Sequence, residues 1–273
     1  MAEVSKEHQI VLDLSKQILA GKRDPIFNGS FGKGFSERYI ETQWAASHLR
    51  GIRSLLDIGF TFASNEYLGM LLELKDKYGI DLQAADIINP EKVQGRYPKE
   101  WLKTLLEVPV TIGDVRTISL PKERFDAVTI ISTIEHIGFD EPSRTVENSA
   151  FERKLRPEDV SLDRDTDTNK TVLDNIYKTL KKRGKLLLSV PMGKGGAVLL
   201  RDSLGLFVAQ WEYDEKSWKE VVGHKGFELT EQRFFKLSDA GWTEVASPRD
   251  LVSQSSYMKP YAEGCAVCLL VRK

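Results

Sequence analysis

The chain has 273 residues, 39 Lys and Arg against 40 Asp and Glu, a formal net charge of −1, and 41% hydrophobic residues. This length allows one large α/β domain, or a domain with a modest addition, and the charge gives no overall field that favours nucleic acid or an anionic membrane. Because the sequence shows no stretch near the ~20 apolar residues that span a bilayer, no secretory-signal pattern and only two cysteines, we expect a cytoplasmic protein.

The first 50 residues predict a helical extension. Ile10, Leu14 and Ile18 recur at helical spacing within 4–20, and a glycine-rich joint then leads to a second helical stretch that ends near residue 49. The second stretch contains Arg38 and Glu41. Its pattern is typical of an amphipathic helix that packs on the core.

From residue 51 to 273 apolar runs alternate with helical patterns, which predicts an α/β domain with a mostly parallel sheet and helices on both faces. The predicted helices lie at 64–78, 168–182 and 214–222, and the predicted strands lie at 52–58, 82–87, 108–112, 125–131, 185–190, 227–235 and 265–271. Residues 90–100 and the glycine-rich stretch that follows the 185–190 strand are predicted to be loops. A charged segment at about 138–167 is predicted to be an insertion. We expect it to be a lid over the site, with a surface loop or an oligomer contact as the alternative.

The first two strands of this domain each end in an acid. Asp57 precedes a turn with one glycine, Gly59, and Asp86 ends the next strand. In a βαβ nucleotide-binding unit the second acid can accept hydrogen bonds from ribose hydroxyls. Dinucleotide sites need further glycines close to a pyrophosphate, but Thr61 and Ala63 stand there. The turn therefore points away from NAD and toward an adenosyl ligand without phosphate.

In this order and spacing, the motifs resemble the class I S-adenosylmethionine-dependent methyltransferases from about residue 53 to the C-terminus. The resemblance implies a Rossmann-like, doubly wound sheet with an antiparallel last strand, and S-adenosyl-L-methionine as the cofactor. It implies that Asp57 and Gly59 lie beneath the methionine part, that Asp86 binds the ribose and that Asp114 meets the adenine amine. The other cofactor-binding residues that it implies are Thr61, Ala63, Ile87, Val115 and Thr133. It also implies a second interpretation of the helical stretch before the 52–58 strand, as a segment that folds over the cofactor, and both interpretations stay open.

The residues that follow the 125–131 strand are expected to face the acceptor. His136 lies where the open end of a parallel sheet places ligands. An imidazole has an ordinary pKa near ~6.5, which suits a general base at neutral pH. Glu135 could orient His136 or bind the substrate. The alternative is that His136 caps a turn or fills space.

Two further motifs predict no metal site. Residues 163–169 resemble the start of a calcium loop, but Thr168 stands where the sharp turn needs glycine. Cys265 and Cys268 have the spacing of a zinc-ligand pair. On a strand, residues three apart point to opposite faces, and a second pair is missing. Buried apolar packing is therefore expected for both cysteines.

The expected function is methyl transfer to a small polar molecule, most simply to oxygen, as in a sugar, a nucleotide-linked sugar or a secondary metabolite. N- or C-methylation is the alternative within the enzymes, and a non-catalytic binding or scaffold protein is the alternative outside them. The expected partner is the small-molecule acceptor, without nucleic acid or membrane. A homodimer stays open.

Overall fold

The computed structural model describes residues 6–27, 32–139, 157–201 and 207–273. Within these ranges helices and strands alternate along the chain. The helices are α1 (Lys6–Leu19), α2 (Arg38–His48), α3 (Asn65–Tyr78), α4 (Leu102–Leu106), α5 (Thr168–Thr179) and α6 (Glu215–Val222). The strands are β1 (Ser54–Ile58), β2 (Asp81–Asp86), β3 (Val110–Ile112), β4 (Phe125–Ile131), β5 (Leu180–Pro191), β6 (Gly196–Arg201), β7 (Phe207–Glu212), β8 (Phe227–Ser238), β9 (Gly241–Val245) and β10 (Gly264–Arg272).

Eight strands form one sheet in the order β3-β2-β1-β4-β5-β10-β8-β9, and β6 and β7 form a separate hairpin. The first five strands of that order pair in parallel. The last strand, β10, runs antiparallel to both of its neighbours, β5 and β8. The predicted sheet, mostly parallel with an antiparallel last strand, is therefore confirmed.

Helices cover both faces of the sheet, and each face has its own apolar core. One core contains Trp44 of α2 and Leu71 of α3, while the other contains Val172 of α5 and Trp218 of α6. A strand alternates its side chains between faces, so β10 serves both cores. The doubly wound prediction is thus confirmed. In the described ranges no helix combines the length and apolar character that crossing a membrane requires.

The two cysteines of β10 follow that alternation. Cys265 belongs to one core and Cys268 to the other, and both are buried free thiols. Their opposite placement confirms the predicted apolar packing.

The boundary between α5 and β5 differs from the prediction. The helix ends at Thr179 rather than 182, and β5 begins at Leu180. Leu180 pairs with Phe125, and the register then shifts so that Lys185 pairs with Ala127. Residues 181–184 therefore form an irregular bulge at the start of β5, with Arg183 at φ +64°.

Several elements are absent from the sequence prediction. The stretch after β5, expected to be a loop, contains the β6–β7 hairpin, and β9 lies between the two strands predicted to be the last. The predicted loop over 90–100 contains the 3₁₀ turns Pro90–Arg96 and Lys99–Trp101, and α4 follows it. Short elements such as these carry too few residues for periodicity to reveal them.

Candidate active site

The predicted site residues come from several strands that end at one edge of the sheet. Because β1, β2 and β4 run in parallel, their carboxyl ends are neighbours. Backbone hydrogen bonds tie the ends together: Gly59 N donates to Ala85 O at 3.0 Å, and Gly113 N donates to Asp86 O at 2.8 Å. The carboxyl edge of the sheet is therefore where a site can be assembled.

Asp57 lies beneath this edge and is 1% exposed. Its Oδ1 accepts hydrogen bonds from the Tyr67 hydroxyl at 2.8 Å and from Thr129 Oγ1 at 2.7 Å. Its Oδ2 is buried and has no hydrogen-bond partner among the described residues. Burial raises the pKa of Asp57 to about 7, although the two hydroxyl donors oppose the shift. Asp57 is thus a buried carboxyl whose Oδ1 is held by hydroxyl groups from α3 and β4.

Gly59 lies where only glycine fits. Its φ is +91°, and a Cβ built on it would lie 2.3 Å from Thr133 Oγ1. The Thr133 hydroxyl donates to Ile131 O at 3.0 Å, which holds that side chain in place. The close approach brings the turn after β1 against the turn after β4, so two predicted site residues are in contact.

The turn after β1 is fastened to the end of β2. Thr61 N donates to Asp86 Oδ2 at 2.8 Å, and Ile88 N donates to Asp86 Oδ1 at 3.1 Å. Thr61 Oγ1 donates to Ile88 O at 2.6 Å, and the Tyr97 hydroxyl donates to Thr61 O at 2.7 Å. Ala63 ends the short 3₁₀ helix Phe60–Phe62. Asp86 therefore organises the turn that sequence reasoning assigned to the cofactor.

Three further residues predicted to bind the cofactor, among them Asp114 opposite the adenine amine, lie in different environments. Ile87 is 40% exposed. Asp114 is paired with Arg116, whose Nη2 lies 2.6 Å from Asp114 Oδ2. Burial raises the pKa of Asp114, but the hydrogen bonds from Arg116 outweigh that effect and lower it. Val115 packs its side chain into the core, and its carbonyl accepts a hydrogen bond from Asn175.

On the acceptor side, His136 is held by the hairpin. Its Nδ1 lies 3.0 Å from the carbonyl oxygen of Ala209 in β7. A carbonyl can only accept, so Nδ1 carries the proton, and in the neutral ring Nε2 is the basic nitrogen. The tautomer therefore suits the predicted base role.

The start of the same turn is strained and tied to α2. Ser132 has φ +42°, an unusual value for a residue with a side chain. Its N–H donates to Ser189 Oγ at 2.9 Å, and its hydroxyl donates to Glu41 Oε1 at 2.6 Å. Strain of this kind persists only where the surroundings hold it. Glu41 thus reaches the site, while the same helix buries Tyr39 and Trp44 in the core.

A cluster of buried carboxyls lies between α2 and the turn after β4. Arg38 pairs with Glu41 at 2.6 Å, and Glu37 accepts a hydrogen bond from Ala262 N at 3.2 Å. Glu135 is 2% exposed, and its Oε2 has no hydrogen-bond partner among the described residues. We refer to Glu37, Arg38, Glu41 and Glu135 as the carboxyl cluster. It contains three acids and a single base.

Burial is the main reason that two of these acids have raised pKa values. It raises the pKa of Glu135 to about 8, with Glu41 and Glu37 adding to the shift and Arg38 opposing it. Burial also raises the pKa of Glu37 to about 7, against the effect of Arg38. Near neutral pH the cluster therefore holds protons that the unfolded chain has lost.

This difference predicts how stability depends on pH. Because the folded pKa values are raised, these acids contribute stability fully below about pH 4, and the contribution is lost as the pH rises through 7 to 8. One group contributes a slope of at most about 1.4 kcal/mol per pH unit. Glu135→Gln, which is neutral at every pH, should flatten the decline. Urea unfolding at intervals between pH 5 and 9 measures it.

Glu91→Gln is the matched control, because it removes an exposed carboxylate and should leave the slope unchanged. A wild-type stability that rises from pH 5 to 8, or an equal slope in Glu135→Gln, would contradict this account of the cluster.

The described end of the predicted insertion braces the turn that carries His136. Arg164 donates to Ile137 O at 2.9 Å and to Ile134 O at 2.8 Å. Its guanidinium also lies 5.3 Å from the centre of the Trp211 ring. Residues 140–156 lie outside the described residues, so the lid hypothesis for 138–167 stays a prediction.

The hairpin is fixed over this turn from its other side. Glu212 accepts hydrogen bonds from Lys194 N at 3.1 Å and from Ser256 N at 2.9 Å. Gln210 also contacts the Ser256 hydroxyl. The hairpin and the segment before β10 therefore form one support for the acceptor side.

Sequence reasoning missed several of these residues. Tyr67 and Tyr97 come from a helix and a loop whose own patterns carry no sign of a site. Arg164 lies in 163–169, which was considered as a calcium loop and predicted to hold no metal. Arg38 and Glu41 did have a signal, because both lie in the segment before β1 that was considered as a cover over the cofactor. Within the described ranges, no group of three or more His, Cys, Asp or Glu side chains could hold a metal ion.

No family model matches the chain, and no curated protein matches its sequence. Solved structures do share its fold. One is a SAM-dependent methyltransferase from Methanosarcina mazei, 14% identical, covering 84% of this chain and 96% of its own, with a TM-score of 0.50. Another is the glycopeptide N-methyltransferase MtfA complexed with S-adenosyl-L-homocysteine, 13% identical, covering 94% and 97%, with a TM-score of 0.50. The chain therefore has the fold of the S-adenosylmethionine-dependent methyltransferases, as the resemblance implied.

Proposed function

We propose that this protein is an S-adenosylmethionine-dependent methyltransferase that methylates a small polar molecule, most simply at oxygen. The observation that carries the proposal is the contact between the turns after β1 and β4. Gly59 can lie against Thr133 only because it has no side chain. This contact places two predicted cofactor-binding residues together, at the start of the turn that continues to the predicted catalytic residues Glu135 and His136. The shared fold supports the proposal, since ligands of such sheets bind at the carboxyl ends of the strands.

The residues present fit the cofactor. Asp86 offers carboxylate lone pairs beyond the two that its backbone donors use, because each oxygen can accept more than one hydrogen bond. Ile87 exposes an apolar side chain next to it, suited to the face of an adenine ring. Asp57 Oδ2 is buried beneath the turn and has no hydrogen-bond partner among the described residues. When bound, S-adenosylmethionine would supply an electrophilic methyl group on a sulfonium centre.

The chain's own residues would prepare the acceptor. His136 would accept the proton of an acceptor hydroxyl at Nε2, while Nδ1–H stays bonded to Ala209 O. Glu135, buried and without a partner at Oε2 among the described residues, would bind a polar group of the acceptor. The hairpin would orient the acceptor and reduce its contact with water.

The ribose assignment can be tested despite the structural role of Asp86. Asp86→Ala should weaken binding of S-adenosylhomocysteine at least tenfold, since a hydrogen bond to a charged acceptor contributes about 1.5–3 kcal/mol. The substitution also releases Thr61 N and Ile88 N, so loss of affinity alone is ambiguous. Calorimetry with a cofactor analogue that lacks one ribose hydroxyl separates the two effects.

The analogue should bind the wild type several-fold less tightly than S-adenosylhomocysteine does, and Asp86→Ala should bind both ligands equally. A double cycle of this kind isolates the direct interaction. Equal penalties for the analogue in both proteins would reject ribose binding by Asp86 and leave it as a support of the turn.

A second candidate function is a non-catalytic protein that keeps the fold. It is favoured by one observation: both carboxylate oxygens of Asp86 already accept backbone N–H groups of the chain. The shift in thermal unfolding temperature on addition of S-adenosylmethionine or S-adenosylhomocysteine distinguishes the two candidate functions. NADH in the same assay tests for an NAD-dependent protein. A methyltransferase should be stabilised by the first two ligands, and a non-catalytic protein that has lost the cofactor site should respond to none.

A further inference from the structure

A basic cleft lies at the amino ends of the central strands, opposite the carboxyl ends where the candidate active site lies. It has a volume of about 430 Å³, and its basic lining residues are Arg50, Arg53, Lys181, Lys182, Arg183 and Lys185. Asp126 is the single acid in the lining. The whole chain has a net charge of −1, so this accumulation of positive charge is local.

The topology explains why these residues meet. Strand β4 lies between β1 and β5, and the chain enters all three at the same edge because they are parallel. The turn before β1 contributes Arg50 and Arg53, while the irregular bulge at the start of β5 contributes residues 181–184. Two turns distant in sequence thus form the two walls of the cleft.

Asp126, at the start of β4, lines the cleft and forms hydrogen bonds with the segments on both of its sides. Its Oδ2 accepts hydrogen bonds from Arg53 N at 2.8 Å and Ser54 N at 3.0 Å, and its Oδ1 accepts one from Lys181 Nζ at 2.7 Å. The carboxylate is therefore occupied in holding the backbone and one lysine, and it does not neutralise the remaining cations.

Partners inside the protein account for only some of the cations. Arg183 pairs with Glu228 at 2.9 Å, and Lys185 Nζ donates to His48 O at 3.3 Å. Arg50, Arg53 and Lys182 are exposed, and none of the three forms an ion pair with a described residue. Like charges held this close repel one another, and a bound anion would remove that cost.

We propose that this cleft binds a phosphate-class anion of the size of a di- or triphosphate, free or as part of a nucleotide. Arginine forks suit phosphate oxygens with paired hydrogen bonds, and lysines add point charges. Strand β4 has 7 residues, so at about 3.3 Å per residue the cleft lies roughly 20 Å from the methyl-transfer edge. The site is therefore separate from the acceptor site.

Calorimetry of the full chain with pyrophosphate, triphosphate and ATP, in buffers of equal ionic strength, tests the proposal. Saturable 1:1 binding of at least one of them is expected, and it should weaken as salt is raised. ATP binding more tightly than triphosphate would identify a nucleotide as the ligand, and equal binding would identify the phosphates alone.

The double variant Arg53→Gln with Lys182→Gln should weaken binding at least tenfold. The control Lys103→Gln with Lys216→Gln makes the same change in net charge at exposed residues that do not line the cleft, and it should change affinity less than twofold. Circular dichroism checks the fold of both proteins. If the first variant unfolds, Lys182→Gln alone is used, with an expected loss of several-fold.

Three results would overturn the proposal. The first is no saturable binding of any of the three anions to the wild type. The second is equal weakening by the cleft variant and the control variant, which would assign binding to overall charge. The third is a single-stranded oligonucleotide that binds the cleft more tightly than triphosphate does, which would make the surface a nucleic-acid site.

Discussion

Substituting His136 with asparagine is expected to lower turnover by roughly 10²–10⁴-fold and to leave affinity for S-adenosylmethionine within a few-fold. The asparagine amide keeps an N–H donor for Ala209 O, the partner of His136 Nδ1 at 3.0 Å, so the support from the hairpin is retained. The basic nitrogen is lost. Transfer of a labelled methyl group to the acceptor measures turnover, and calorimetry measures cofactor affinity.

His224→Asn is the matched control. His224 is also partly buried and bonded through its ring, to Asp174 at 3.0 Å, but it lies after α6, away from the turn that carries His136. Its substitution should leave turnover unchanged. Near-normal turnover in His136→Asn would reject the base role and would fit an acceptor nitrogen that is already deprotonated. A large loss of cofactor affinity would instead place His136 against the cofactor.

Gly59→Ala is expected to destabilise the protein by about 2–5 kcal/mol. A left-handed backbone costs a residue with a side chain roughly 1–2 kcal/mol, and overpacking adds roughly 1–3 kcal/mol. Both terms apply, because φ is +91° and the new Cβ would lie 2.3 Å from Thr133 Oγ1. Urea unfolding measures the change in free energy, and calorimetry should show that cofactor affinity falls as well.

Gly79→Ala separates the backbone cost from the overpacking cost. Gly79 has φ +65° with open space around it, so only the backbone cost of about 1–2 kcal/mol should appear. If Gly59→Ala lowers the free energy of unfolding by no more than Gly79→Ala does, the turn after β4 can move away from the new side chain without cost. The close contact between the two turns would then no longer support the proposed function.

The alternation of strands and helices was predictable because its signal is local. Buried parallel strands appear as short apolar runs, and helices have a period of 3.6 residues. The positions of the acids Asp57 and Asp86 at strand ends were also predictable, since each follows such an apolar run. The hydrogen-bond partners of these acids could not be predicted from the sequence, because they come from other elements. Tyr67 of α3 and Thr129 of β4 both donate to Asp57.

The hairpin shows why some of the site escaped prediction. Its strands β6 and β7 pair only with each other, and their sequence does not alternate clearly between polar and apolar residues. Glycines 193, 195 and 196 favoured a loop, yet Gly196 opens β6. Because Ala209 offers a backbone carbonyl to His136, its side chain gave no indication of that role.

Local patterns in the chain were sufficient to predict alternating strands and helices with a mostly parallel sheet, the buried cysteines and the acids at the strand ends, because each of these depends on periodicity or on residue type at a short spacing. The antiparallel direction of the last strand came from the resemblance to the methyltransferases. The carboxyl cluster and the basic cleft could be recognised only after folding. The carboxyl cluster joins α2 to the turn after β4, and the basic cleft joins the turn before β1 to the start of β5. The burial of the acids and the close approach of the cations therefore arise only in the folded chain.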